Sequence, residues 1–171
     1  MCTVELVDKV VDKLKRGKAA GLDGLTIEHI KNCHPVIITI LTKLFNLMLV
    51  SGYVPVEFGF GVSVPIPKER SSVNCSDYRC ISISRVISKI FEKCIADSLQ
   101  RYLCSSDHQL GFKQKSGCVH AIYAVRKTVE YYVSNGSTVN ICTLDISKAF
   151  DKVNNHCLLL KLMKRRLPIQ F

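Results

Sequence analysis

The chain has 171 residues, 47% of them hydrophobic and 22% charged. That is enough for one folded domain or part of a larger one, and too apolar for a disordered tail. Lys and Arg number 24 against 14 Asp and Glu, a net charge of +10, which favours a polyanionic partner. Mean hydropathy is slightly positive, so apolar surface that further polypeptide would cover is expected.

In chain order, the spacing of Val7, Val10, Val11 and Leu14 predicts a first helix over residues 4–15. The glycines of KAAGLDGL (residues 18–25) break it. Thr26 is placed to cap a short helix ending near Asn32. The run Val36–Val50 is too short for a membrane span, and Lys43 and Asn46 interrupt it. Apolar positions at Ile37, Ile40, Leu41, Leu44, Leu47 and Met48 instead predict a buried core helix, with Pro35 at its start and Gly52 past its end.

From Gly59 the period becomes two. Val62, Val64 and Ile66 alternate with Ser63, Pro65 and Pro67, an edge-strand pattern. Tyr78–Ile83 is its hairpin partner across a polar loop. Ser84 is read as the cap of a helix reaching Leu103, with Ile87, Ile90, Phe91, Cys94, Ile95 and Leu99 inward. A helix over residues 117–134 is expected to bury Ile122, Val125, Val129 and Tyr132 and to stop at Gly136. A strand over residues 139–144 ends at Asp145, and Asn154 or Asn155 opens a last helix. A hairpin and one strand make an incomplete sheet, the first sign that the chain is part of something larger.

Nine cysteines, an odd number with no Cys-x-x-Cys pair, do not make a disulfide framework or a zinc site. The close pairs His29/Cys33 and Cys118/His120 lack further ligand partners. No leader-like apolar run opens the chain. A reduced, intracellular setting is therefore expected.

Three features carry chemistry. Thr143–Val153 (TLDISKAFDKV) presents Asp145 at the end of a strand, either at the mouth of a site or as the cap of the next helix. Lys68 and Arg79 bracket the hairpin loop; they are either surface cations or a point charge and a planar fork able to close on a polyphosphate. A basic run continues through Arg85, Lys89, Lys93, Arg101, Lys113 and Lys115, consistent with nucleic acid or with a solvated charged face.

Together these pieces resemble a known family. VPIPKERSSVNCSDYRCIS (residues 64–82) is similar to the fingers segment of reverse transcriptases from non-long-terminal-repeat retrotransposons. Their pattern is a PIPK run followed by YRPIS. HQLGFKQKSGCVHAI (108–122) resembles the family's Gln-x-Gly-Phe-Arg block. TLDISKAFDKVNNHCLLLKL (143–162) resembles its first palm motif, and KAAGLDGLTIEHIK its opening Gly-x-Asp-Gly segment. Four blocks stand in family order. There are departures: Cys80 replaces the Pro expected after Arg79, and Lys113 replaces Arg, keeping charge but losing the planar fork.

The resemblance implies an α+β fold: the helix-rich fingers and partial palm of a right-hand polymerase, truncated before its catalytic Tyr-x-Asp-Asp hairpin. Residues 1–58 would form an N-terminal helical extension with the opening motif, 59–136 the fingers, and 137–171 the start of the palm. It implies that Asp145 is catalytic and ligates two magnesium ions. Lys68 and Arg79 would grip an incoming deoxynucleoside triphosphate, with Lys148 and Ala149 beneath it. Phe150 would be the gate against a ribose 2′-hydroxyl, and Gln109, Gly111, Phe112 and Lys113 would lie near the template. The implied partners are an RNA template, a DNA primer, deoxynucleoside triphosphates and the missing C-terminal palm and thumb, with no membrane.

No adjacent Asp-Asp pair occurs in the 171 residues. The chain by itself is therefore expected to be inactive, from a reading frame that stops or was cut early. The alternatives are a non-catalytic nucleic-acid-binding relic and an inert degenerate copy.

Overall fold

The computed structural model describes residues 1–68, 74, 77–103, 105–113, 115–146, 149 and 152–168. In order, its elements are α1 (Val4–Lys13), α2 (Ile27–Lys31), α3 (Val36–Ser51), a 3-10 turn (Val56–Gly59), β1 (Gly61–Pro67), β2 (Tyr78–Ser84), α4 (Val86–Leu99), a second 3-10 turn (Gln100–Tyr102), α5 (Cys118–Ser134) and α6 (Asn155–Lys164). Helices with one small sheet make the α+β class expected. The residues fall into two compact units, Met1–Gln100 with Leu167–Phe171, and Arg101–Arg166. No described helix is long and apolar enough to cross a membrane.

The first unit holds the core. Val7, Val10 and Val11 of α1 are buried, the face that their spacing predicts, and α1 packs on α2, α3 and α4. The Thr3 hydroxyl accepts the Leu6 N–H at 3.2 Å and caps α1. At the other end Lys31 Nζ donates to the carbonyls of Asp12 (2.8 Å) and Leu14 (3.0 Å), a cation on carbonyls left over at a helix C-terminus. Glu28 accepts the Gly17 N–H, which holds its carboxyl below the usual glutamate range. Thr26 starts α2 as expected: its N–H donates to His29 Nδ1 at 3.0 Å, so His29 serves a helix start.

α3 buries Ile38, Leu41, Thr42, Phe45 and Met48, a face rotated from the one expected: Leu41 and Met48 are buried as expected, and Ile37 and Leu44 are partly buried against the core. Ile40 and Leu47 are exposed. An almost wholly apolar helix offers several equivalent stripes by spacing, and neighbours choose among them. Here the choice is made by Phe45, fully buried with its ring centroid 5.2 Å from Phe91 of α4. Phe58 meets Phe91 edge-on at 6.1 Å. Asn46 clamps the N-terminal segment: the Cys2 N–H donates to Asn46 Oδ1 at 2.8 Å, and Asn46 Nδ2 donates to the Cys2 carbonyl at 2.9 Å.

β1 and β2 pair antiparallel from Gly61↔Ser84 to Pro67↔Tyr78, as the alternation predicts. Ser84 is thus the last ladder residue and not a helix cap; Arg85 occupies the cap position of α4. α4 buries Val86, Ser88, Ile90, Phe91, Cys94 and Leu99. The seven described cysteines are free thiols. Cys2 and Cys94 are both buried in the core; the Cys94 thiol hydrogen bond holds the Cys2 thiol down at about 7, while the same contact and burial push Cys94 up.

In the second unit two expectations fail. α5 buries no residue: Ile122 is 66% and Val125 50% exposed, and Tyr132 is exposed as well. A helix face becomes a core face only against another apolar surface. In this unit Ile122, Val125 and Val129 meet Ile141 and Thr143 across an open groove of about 600 Å³. Nor is 139–144 a strand, since the whole stretch 137–146 is irregular. A strand exists only by pairing, and among the described residues the sheet has two strands, β1 and β2. Local contacts hold α5, with Glu130 accepting from Arg126 (2.7 Å) and Lys127 (2.8 Å).

Candidate functional site

The hairpin positions two of the candidate residues. Arg79 lies opposite Ile66 in the register, and the Lys68 N–H extends the ladder by donating to the Asp77 carbonyl at 2.7 Å. Lys68, one residue past the end of β1, and Arg79 on β2 therefore both stand at the loop end of the ladder. Both are exposed. Such a pair offers an oxyanion a compact ammonium and a planar, multiply donating guanidinium. Cys80, opposite Pro65, keeps a backbone N–H at the position where the family pattern has proline.

The second unit carries the other described candidates. Gln109–Lys113 is a run of turns. Gln109 donates its N–H to the Ser106 carbonyl at 3.0 Å and its Nε2 to the Gly111 carbonyl at 3.2 Å. Phe112 takes a left-handed φ of 57° and is 97% exposed. Lys113 reaches Asp107 at 3.1 Å, a pairing that the sequence reading did not anticipate. Asp145 is exposed in the irregular stretch between Leu144 and Ile146. Its reading as a cap of the last helix fails: α6 is capped by Asn154, whose Oδ1 accepts the Cys157 N–H at 3.0 Å. Ala149 is an exposed turn residue. Lys148 and Phe150 lie outside the described residues.

A carboxylate oxygen suits a hard ion such as magnesium. Among the described residues, however, no three His, Cys, Asp or Glu side chains gather into a group able to hold a metal. Asp145 fits one ligand position of such an ion and does not by itself fit a pair of them.

The opening motif has a structural role that spacing did not reveal. Gly21 to Gly24 form a turn closed by the Gly24 N–H on the Gly21 carbonyl at 3.1 Å, with Gly24 at a φ of +69°. A Cβ on Gly21 would stand 2.9 Å from the Cα of Arg85, so the turn rests directly on the backbone entering α4. No local signal marks this contact, because Arg85 lies 64 residues further along the chain.

Residues 66–170 match the reverse transcriptase (RNA-dependent DNA polymerase) family. Over 165 residues the chain is 26% identical to the Retrovirus-related Pol polyprotein from type-1 retrotransposable element R2 of Nasonia vitripennis, covering 95% of this chain and 15% of that protein. It is 28% identical over 170 residues to the probable RNA-directed DNA polymerase from transposon X-element of Drosophila melanogaster (96% and 19%). With the RNA-directed DNA polymerase from mobile element jockey of Drosophila funebris it shares 29% over 167 residues (93% and 18%). The chain thus spans less than a fifth of the length of these relatives. With more than half of its residues inside the family match, and its motifs in family order, this chain belongs to the reverse transcriptase (RNA-dependent DNA polymerase) family, of the kind carried by non-long-terminal-repeat retrotransposons.

Proposed function

We propose that this chain is the fingers and first palm part of an intracellular right-hand polymerase that copies an RNA template onto a DNA primer from deoxynucleoside triphosphates. Residues 1–58 act as the N-terminal extension, 59–136 as fingers and 137–171 as the start of the palm. The observation that carries the reading is the hairpin register, with Arg79 opposite Ile66 and Lys68 two residues beyond it. The two cations hold the triphosphate of the incoming nucleotide. Lys148 and Ala149 lie beneath it, and Phe150 excludes a 2′-hydroxyl. Gln109, Gly111, Phe112 and Lys113 face the template. Asp145 would hold a single divalent ion such as magnesium by one oxygen, and that ion would supply Lewis-acid polarisation of phosphate oxygens.

A double variant Lys68→Ala/Arg79→Ala tests the grip. Binding of a fluorescent deoxynucleoside triphosphate should weaken at least tenfold, about 1.4 kcal/mol; unchanged binding overturns the assignment. The 171 residues by themselves are expected to extend no primer. Magnesium-dependent incorporation by the purified chain would show that the acids present suffice.

The net charge of +10 also favours a second reading, a nucleic-acid-binding relic without chemistry. In that case Asp145→Asn leaves RNA affinity untouched while added salt weakens it steeply.

A further inference from the structure

The core of the first unit holds two thiols that the proposed function leaves unused. Cys2 precedes α1 and Cys94 lies near the middle of α4, far apart in sequence, yet both belong to one buried cluster. Their exposures are 4% and 0%, and the two thiols are hydrogen-bonded to each other. Both ends of the contact are fixed from outside it. The Cys2 N–H and carbonyl are pinned to the Asn46 side chain of α3 at 2.8 and 2.9 Å. Cys94 is set within a continuous helix, where its carbonyl accepts the Ser98 hydroxyl at 2.8 Å. The other described cysteines, Cys33, Cys80, Cys118, Cys142 and Cys157, are exposed.

Two sulfurs already in contact need little further approach to bond, and the backbones that carry them are held in place. The thiolate is the reactive form of cysteine. The Cys94 hydrogen bond favours the Cys2 thiolate, while the same contact and burial keep Cys94 protonated, so Cys2 attacks first and Cys94 resolves. A small oxidant reaches Cys2 through the opening segment. Met1 and Thr3 on either side of it are exposed, and the described hydrogen bonds of its backbone both go to Asn46, a small unit able to open locally.

We propose that Cys2 and Cys94 form a reversible oxidation site, which consumes a hydroperoxide and closes to a disulfide that staples the opening segment to α4. The Cys2 sulfur attacks one oxygen of hydrogen peroxide and the O–O bond breaks. The departing hydroxide takes the Cys2 thiol proton and leaves as water, with Cys2 now a sulfenic acid. The Cys94 sulfur then attacks the Cys2 sulfur, the S–O bond breaks, and the hydroxide released takes the Cys94 proton as a second water. Two thiols lose two electrons and one peroxide is reduced to two waters. A dithiol reverses the bond by exchange. The closed loop runs from residue 2 to residue 94, so the bond restricts the unfolded chain strongly and tightens the first unit. Neither thiol takes part in the proposed nucleotide or template contacts, and the site stands independently of that reading.

The test exposes the purified chain to hydrogen peroxide, alkylates the remaining thiols in urea and digests with trypsin without reduction. Mass spectrometry should find peptides 1–9 and 94–101 joined with the loss of two hydrogens, and dithiothreitol should separate them. The urea midpoint of the oxidised chain should rise by about 1 M or more. Cys94→Ser should leave Cys2 as a sulfenic acid that dimedone captures, and Cys33→Ser should link as wild type does. The peptide map of the unaltered chain is read whether or not Cys94→Ser folds. Recovery of Cys2 and Cys94 both alkylated, an equal yield of the link from chain unfolded in urea, an unchanged midpoint after linking, or no dimedone adduct on folded Cys94→Ser would each overturn the proposal.

Discussion

α3 and α5 are helices of nearly equal length, 16 and 17 residues, and both carry apolar stripes, yet their fates differ. α3 buries five residues, while α5 buries none. The reason is the supply of partners. α1 and α4, the first reaching α2 and α3 as well, bring apolar faces into one cluster around Phe45 and Ile90. The second unit offers α5 the open groove toward Ile141 and Thr143. Amphipathic spacing therefore says where a helix could bury surface, and only a second surface makes it do so.

The strongest way to break this comparison is Phe45→Ala. The ring is fully buried and packed at a tilt against Phe91, so truncation should cost about 3–5 kcal/mol, combining lost transfer energy with a cavity. Urea unfolding followed by far-ultraviolet circular dichroism reads this directly, and a loss below about 1 kcal/mol would mean that the core is not organised around this ring.

Gly21→Ala is next. Its new methyl would meet the Arg85 backbone at 2.9 Å, and backbone yields less readily than a side chain. Overpacking of this kind costs about 1–3 kcal/mol. The same urea midpoint checks it, and an unchanged midpoint would place the turn away from α4.

The smallest effect belongs to the second unit. Ile122→Ala removes a side chain that is already 66% exposed, so stability should move by no more than about 0.5 kcal/mol. A loss of about 2–5 kcal/mol, the usual cost for a buried isoleucine, would show that the α5 face is covered and erase the contrast with α3.

How far the sequence was legible follows from how local each feature is. The hairpin could be read because period-two alternation and the polar loop lie within about twenty-five residues of chain. The Thr26 start of α2 and the Asn154 start of α6 could be read because a cap is a bond to a residue about three positions away. The α3 face was misread, since Ile40 and Leu47 are as apolar as Ile38 and Phe45 and spacing alone cannot rank them. Ser84 was misread because a ladder partner, Gly61, competes for it with a helix that it could have capped. The strand at 139–144 was misread because a strand needs a pairing partner, and none for it is among the described strands.

The candidate site divides in the same way. The identity of Lys68, Arg79, Gln109–Lys113 and Asp145 came from ordered motifs. The ion pair of Lys113 with Asp107 and the close approach of Gly21 to Arg85 came only with the fold.

By itself, the order of residues determined the family, the basic character and most element positions, because motifs, charge and periodicity are properties of neighbours along the chain. The tertiary structure alone decided which stripe of α3 faces Phe91, that α5 stays uncovered within its unit, and that Cys2 and Cys94 meet in one core. Those outcomes depend on surfaces from distant parts of the chain meeting, and burial and electrostatic field arise from that meeting.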